Sequence, residues 1–190
     1  MLAELSEAIG SRDPYMRGQS ARVTALADAV ARWLGWDEEQ LRQLHLGGAL
    51  HDVGKLAIPG RILRKPGPLN PEELFEIRAH PEAGVRLIEP IDSAHGALPY
   101  VLHHHERWDG RGYPHRLAGR AIPVEARLLA VADAFDAMTS NRPYRRALAD
   151  DEALAEIDRC AGTQFDPELV RAFLEVWGTG PIRLPEAAAS

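Results

Sequence analysis

The 190-residue chain is long enough for one domain with a sizeable core, and its 45% hydrophobic content is that of an ordinary globular protein. A formal charge of -6 argues against broad binding to DNA or RNA polymers, while leaving room for a local basic pocket that takes a small anion. The lone cysteine, Cys160, excludes an internal disulfide and a cysteine-based zinc site, and no run approaches the roughly 18 apolar residues of a membrane span.

The N-terminal stretch carries Glu4 and Glu7 and no basic cluster, so it does not read as a secretory signal, and a cytoplasmic protein is expected. Residues 18–34 place Val23, Leu26, Ala27, Val30 and Leu34 at helical spacing, and Gly35 supplies a stop. Asp37, with Gln40 three residues later, predicts a capped helix whose apolar face, Leu41, Leu44 and Leu50, runs to about His51. Asn70-Pro71-Glu72-Glu73 opens another helix with a capping side chain, a proline in the first turn and acids behind it. Pro81 restarts a helix through Val85 and Leu87–Ile88, and residues 97–105 are expected to be helical with histidines near the end.

Gly110, Gly112, Pro114 and Gly119 then break residues 106–122 into a loop. Pro123 opens the strongest segment, Val124 to Thr139, where Leu128, Val131, Ala132, Phe135 and Met138 recur at helical spacing. Asp150 and Asp166-Pro167-Glu168 start two more helices. No alternating strand pattern, repeat or second composition interrupts this order. The expectation is a single all-α bundle over residues 1–178, with a flexible tail over 179–190.

Chemistry concentrates in residues 103–114, His-His-His-Glu-Arg-Trp-Asp-Gly-Arg-Gly-Tyr-Pro. Neutral imidazole is a common metal ligand, and the histidines run directly into a Gly-rich turn. Partner ligands are available elsewhere: the His51-Asp52 pair at a helix end, His80 at a helix junction, and Asp133 within an otherwise apolar helix. Each has an ordinary explanation as well. His51-Asp52 can be a surface dipeptide, His80 a cap, and Asp133 the partner of a buried arginine. Taken together they offer several imidazoles and two carboxylates without thiols, a set that suits manganese, iron, nickel, cobalt or zinc better than magnesium or calcium. There are enough ligands for two ions, and paired ions are a standard means of attacking a phosphodiester in line.

His51-Asp52-Val53-Gly54-Lys55, His80-Pro81, His104-His105-Glu106, Asp109-Gly110-Arg111-Gly112-Tyr113-Pro114 and Asp133 in Val131-Ala132-Asp133-Ala134-Phe135-Asp136 occur in the order of the HD-GYP family. The chain resembles this branch of the HD phosphohydrolase superfamily from about residue 12 to about residue 175. The resemblance implies an all-helical HD-type bundle and a cyclic di-GMP phosphodiesterase that yields the linear dinucleotide or GMP. It implies metal ligands at His51, Asp52, His80, His104, His105 and Asp133, with Asp52 bridging, and one or two divalent ions, iron or manganese before nickel, cobalt or zinc. Asp52 and Lys55 carry the catalytic roles, with Lys55 at the phosphate-contacting position. Tyr113 is the family's loop tyrosine near the substrate, and Arg142 and Arg145 match basic positions that hold guanine or phosphate. Glu106 and Asp109 are read as supports for ligands or loop, Arg107, Trp108 and His115 as packing or exposed loop residues, and His103 as a spare histidine. The implied partners are a cyclic dinucleotide, a sensory or regulatory protein or domain outside this chain, and a second copy in a homodimer, with no nucleic acid polymer and no membrane.

One position departs from the family. In Gly18-Gln19-Ser20-Ala21-Arg22-Val23, Gln19 stands where the family has a metal-ligating histidine. Tyr15 stands where members with three metals have a glutamate, so a third ion is not expected. An amide oxygen is a poorer ligand than imidazole for a borderline metal, so the ion shared by His51 and Asp133 should be held less tightly. Two alternatives to a cyclic di-GMP hydrolase follow. One is a catalytically weak module that binds the dinucleotide or a protein partner, the reading Gln19 favours. The other is a hydrolase of another cyclic dinucleotide or of a linear phosphate ester.

Overall fold

The computed structural model describes residues 18–141, 146–180, 182 and 184. Arg142 and Arg145, Tyr15 and most of the expected tail lie outside the described residues. Among those described the fold is all-helical, and a lone bridge between Ala161 and Phe165 closes a turn. The helices are α1 (Gln19–Trp33), α2 (Glu38–Leu50), α3 (Gly60–Leu63), α4 (Pro71–Ile77), α5 (His80–Ile88), α6 (Leu98–His103), α7 (Val124–Thr139), α8 (Asp150–Arg159) and α9 (Pro167–Gly178). Among the described residues no helix is long and apolar enough to cross a membrane.

The punctuation read from the sequence sets the helix ends. Gly35, at φ 78°, lets the chain turn left-handed after α1, where Gly35 N–H bonds the Arg32 carbonyl and Trp36 N–H the Ala31 carbonyl. This is a Schellman closure. Asp37 and Gln40 form a reciprocal capping box at α2, and Asn70 and Glu73 form another at α4. Short 3-10 turns at Val53–Ala57 and Asp92–Ala97, and the single turn α3, lie between the periodic segments.

Two apolar clusters flank the histidines. The larger joins α1, α7, α8 and α9 through Val23, Leu26, Leu128, Phe135, Ile157 and Phe173. Phe135 packs 5.3 Å from Phe173 and 4.7 Å from Trp177, centroid to centroid. The smaller gathers Leu50, Val53, Ile88, Ala94, Ala97 and Val101. Between them α5 lies against the Val53–Ala57 turn. A Cβ built on Gly54 would fall 1.8 Å from the His80 carbonyl oxygen and 2.5 Å from Gly84 N. Only a bare α-carbon permits that approach, which sets His80 beside Asp52.

Gly54→Ala is therefore expected to push α5 off the turn and destabilise the domain by about 1–3 kcal/mol, the usual cost of overpacking. Urea unfolding checks this, and an unchanged midpoint would show that the close approach is not needed.

Candidate metal centre

Five elements deliver the expected site residues. His51 and Asp52 follow the last turn of α2, His80 is the first residue of α5, and His104 and His105 follow α6. Asp133 projects from the middle of α7, and Gln19 opens α1. His51, Asp52, His80 and His104 are all buried. Ligand atoms of Asp52, His80, His104 and His105 lie within 4.8 Å of one another.

Backbone carbonyls fix the tautomers. His51 Nδ1 lies 2.8 Å from the Gly48 carbonyl, His80 Nδ1 2.7 Å from Ile77, and His104 Nδ1 2.9 Å from Tyr100. A carbonyl only accepts, so each Nδ1 carries the proton and each neutral ring turns an Nε2 lone pair inward. Those lone pairs converge on a carboxylate. His80 Nε2 is 3.3 Å from Asp52 Oδ1 and 3.3 Å from His104 Nε2, and His51 Nε2 is 3.4 Å from Asp52 Oδ2. Among the described residues, His51 Nε2 and Asp52 Oδ1 are buried without a hydrogen-bond partner. Acceptors facing acceptors at these distances lack a hydrogen between them, and a shared cation satisfies them all. The residues fit a metal ion.

Without an ion the groups of the centre differ in protonation: Asp52 is held ionised, His104 and His105 are held neutral, and His51 is drawn toward its charged form. Burial alone would raise the Asp52 pKa, but the nearby Lys55 ammonium and the His51 imidazole hold it well below the usual carboxylate range. Lys55 Nζ lies 2.7 Å from Asp52 Oδ2. Burial also works against a charged His51, yet the adjoining Asp52 carboxylate outweighs it and raises the pKa. Burial brings His104 down to about 4, opposed by the Asp52 carboxylate, which accepts from the charged ring, and assisted by His51 and His80. Burial, with His104 and His80 beside it, also lowers His105 well below the ordinary value.

Asp133 belongs to a different arrangement. Gln19 Nε2 donates to its Oδ1 at 2.8 Å. The amide therefore turns its N–H2, which cannot ligate, toward the carboxylate. One turn further along both helices, Arg22 pairs with Asp136 at 2.5 Å. The buried arginine that the sequence allowed as the partner of Asp133 thus serves Asp136. That pair was not foreseen.

The centre opens into a cavity of about 630 Å³ lined by His105, Tyr113, Arg78, Arg111, Asp133 and Gln164, among others. Tyr113 stacks on His105 at 4.8 Å, and the Arg78 guanidinium sits 5.4 Å over the tyrosine ring. Arg78 and Gln164 were missed. Arg78 stands two residues before His80, and Gln164 comes from the turn after α8 with no motif to mark it. Glu106 caps the loop, accepting from the His115 and Leu117 backbone N–H groups. Asp109 pairs with Arg107, which with the Arg111 backbone N–H brings its carboxyl down to about 2 against the opposing effect of burial.

Fold and site define a helical protein with a buried histidine–carboxylate centre beside a cleft lined by both arginines and carboxylates. The HD domain family model matches residues 4–169. The cyclic di-GMP phosphodiesterase response regulator RpfG of Xanthomonas campestris pv. campestris is 44% identical over 176 residues, covering 91% of this chain and 46% of that protein. A cyclic di-GMP phosphodiesterase of Thermotoga maritima is 41% identical over 167 residues, 87% of this chain and 45% of the relative. This chain thus spans less than half the length of either relative. Bd1817, an HDG"Y"P protein from Bdellovibrio bacteriovorus, superposes with a TM-score of 0.68 at 20% identity, covering 84% of this chain and 51% of that one, which supports the fold. The chain belongs to the HD domain family, within its HD-GYP branch.

In the metal-free protein His104 should titrate at about 4 instead of near 6.5, as imidazole NMR shifts would report. Its folded pKa lies below the unfolded one, so its contribution to stability declines as pH falls from about 6.5 to about 4 and then levels off. A midpoint near 6.5 would contradict the neutral, inward-facing imidazole.

Proposed function

We propose that this domain is a metal-dependent phosphodiesterase that hydrolyses cyclic di-GMP to the linear dinucleotide or GMP. The observation that carries the reading is the convergence of ligand atoms of Asp52, His80, His104 and His105, with His51 Nε2 and Asp52 Oδ1 buried and unpartnered among the described residues, beside a cleft that Arg78 and Arg111 line. The activities named for the relatives that align along nearly the whole chain support the substrate.

His51, Asp52, His80, His104, His105 and Asp133 would hold one or two divalent ions, and iron or manganese would suit this nitrogen-and-oxygen set. A bound divalent ion supplies Lewis-acid polarisation of the phosphoryl group and activation of water at neutral pH. The chain's own groups do the rest. Lys55 keeps Asp52 ionised and places a positive charge beside the scissile phosphate. Burial, against the opposing effect of Arg78, raises the Tyr113 pKa, so the phenol stays protonated and donates to the substrate. Arg78 and Arg111 present planar forks to phosphate oxygens or a guanine edge. Arg142 and Arg145 are assigned to the same task from sequence alone. Because the chain spans less than half of these relatives, a regulatory domain or protein partner is part of the proposal, as is pairing with a second copy.

Iron- or manganese-loaded protein, prepared without oxygen, should convert cyclic di-GMP to linear product on chromatography. Asp52→Asn should abolish turnover, and Lys55→Ala should lower it by about 10²–10³-fold. Retained binding without turnover would instead favour a signalling module, and turnover of only another cyclic dinucleotide would displace the substrate assignment.

The Gln19–Asp133 hydrogen bond favours the weaker-centre reading, because it occupies a carboxylate that an ion would otherwise take. Gln19→His should then raise metal content per chain. If elemental analysis finds two tightly held ions in both proteins, the weakened shell is wrong.

A further inference from the structure

His103 is the histidine that the centre does not use. Successive residues on a helix point about 100° apart, so His103 projects away from the side reached by His104. Its ring lies 5.5 Å from that of His115, on the far side of the Gly-Tyr-Pro loop. His103 Nδ1 is buried and has no hydrogen-bond partner among the described residues. Ligand atoms of His103, Glu106 and His115 lie within 4.8 Å of one another.

We propose that His103, Glu106 and His115 form an accessory metal site, separate from the centre around Asp52, for a borderline divalent ion such as zinc. Two imidazoles and one carboxylate, completed by water, suit zinc or cobalt and do not suit calcium or magnesium. Glu106 has room for the ion. Among the described residues its two oxygens receive the His115 and Leu117 N–H groups, at 2.7 and 3.1 Å, and an ionised carboxylate offers about four acceptor positions. Those two bonds also fix its carboxylate before any ion arrives. His115 is exposed, so the ion enters from solvent without crossing the substrate cleft. An ion there would pin the end of α6 to the loop that carries Tyr113. The site does not depend on the hydrolytic reading.

The test is a cobalt titration of the chelator-stripped full chain, followed by visible absorption and repeated with zinc by calorimetry. Four proteins are compared: the parent, His115→Ala, Asp52→Asn and the double variant. His115 is exposed, so its replacement leaves the fold intact. The expected result is that Asp52→Asn keeps one ion with the absorption of low-coordinate cobalt, and that adding His115→Ala removes both the ion and the band. Zinc should also slow tryptic cleavage after Arg116 in Asp52→Asn but not in the double variant. Equal stoichiometry and equal absorption with and without the His115 side chain would overturn the site, leaving Glu106 as a loop cap and the two histidines as a ring contact only.

Discussion

An ionised carboxylate at the centre of a small helical domain governs the arrangement around it. Asp52 is almost fully buried, and a bare charge in that position would cost several kcal/mol. Lys55 neutralises one oxygen from the next turn of chain, while the other faces His80 and His104. Bringing those rings to Asp52 requires α5 to lie directly on the Val53–Ala57 turn, which is possible because residue 54 has no side chain. The smaller apolar cluster closes around the same junction through Leu50, Val53, Ile88 and Val101. The packing that stabilises this half of the domain and the packing that aims the imidazoles are one set of contacts.

The electrostatics have a division of labour. Backbone carbonyls, which carry no net charge, choose the tautomer of three histidines, and the carboxylate and ammonium set the local potential. Fixed carbonyls cost nothing to reorganise when a cation arrives. Helix ends are well suited to this work, since the last turn of a helix leaves carbonyls without helical partners. His51 and His104 each follow a helix, and each ring bonds a carbonyl of its last turn, that of Tyr100 accepting the His104 backbone N–H as well.

Much of the scaffold was legible in the sequence. Val124–Thr139 was bounded by Pro123 and a long apolar period, and both reciprocal capping boxes were visible as Asp37/Gln40 and Asn70/Glu73. The 3-10 turns were not, since five or six residues carry no period. Within α7, Asp133 and Asp136 lie three residues apart on one helix face, so local pattern does not tell which of them meets an arginine. The answer came from the register of α1 against α7. The oddity at Gln19 was visible in the motif, but the direction of its amide was not. The motif set His103 apart from His104 and His105 as the spare histidine, but not that its ring would meet His115. Arg78 and Gln164 reach the cavity from elements with no signature of their own.

The two rungs joining α1 to α7, Gln19 with Asp133 and Arg22 with Asp136, are spaced alike on both helices. They amount to a ladder made wholly of side chains. Where a histidine at position 19 would bind the two helices through a shared ion, this chain closes the same seam with an amide and a guanidinium. The mechanical integrity of that half of the bundle is thereby separated from the metal supply of the cell. The contact between these two helices is already made without an ion.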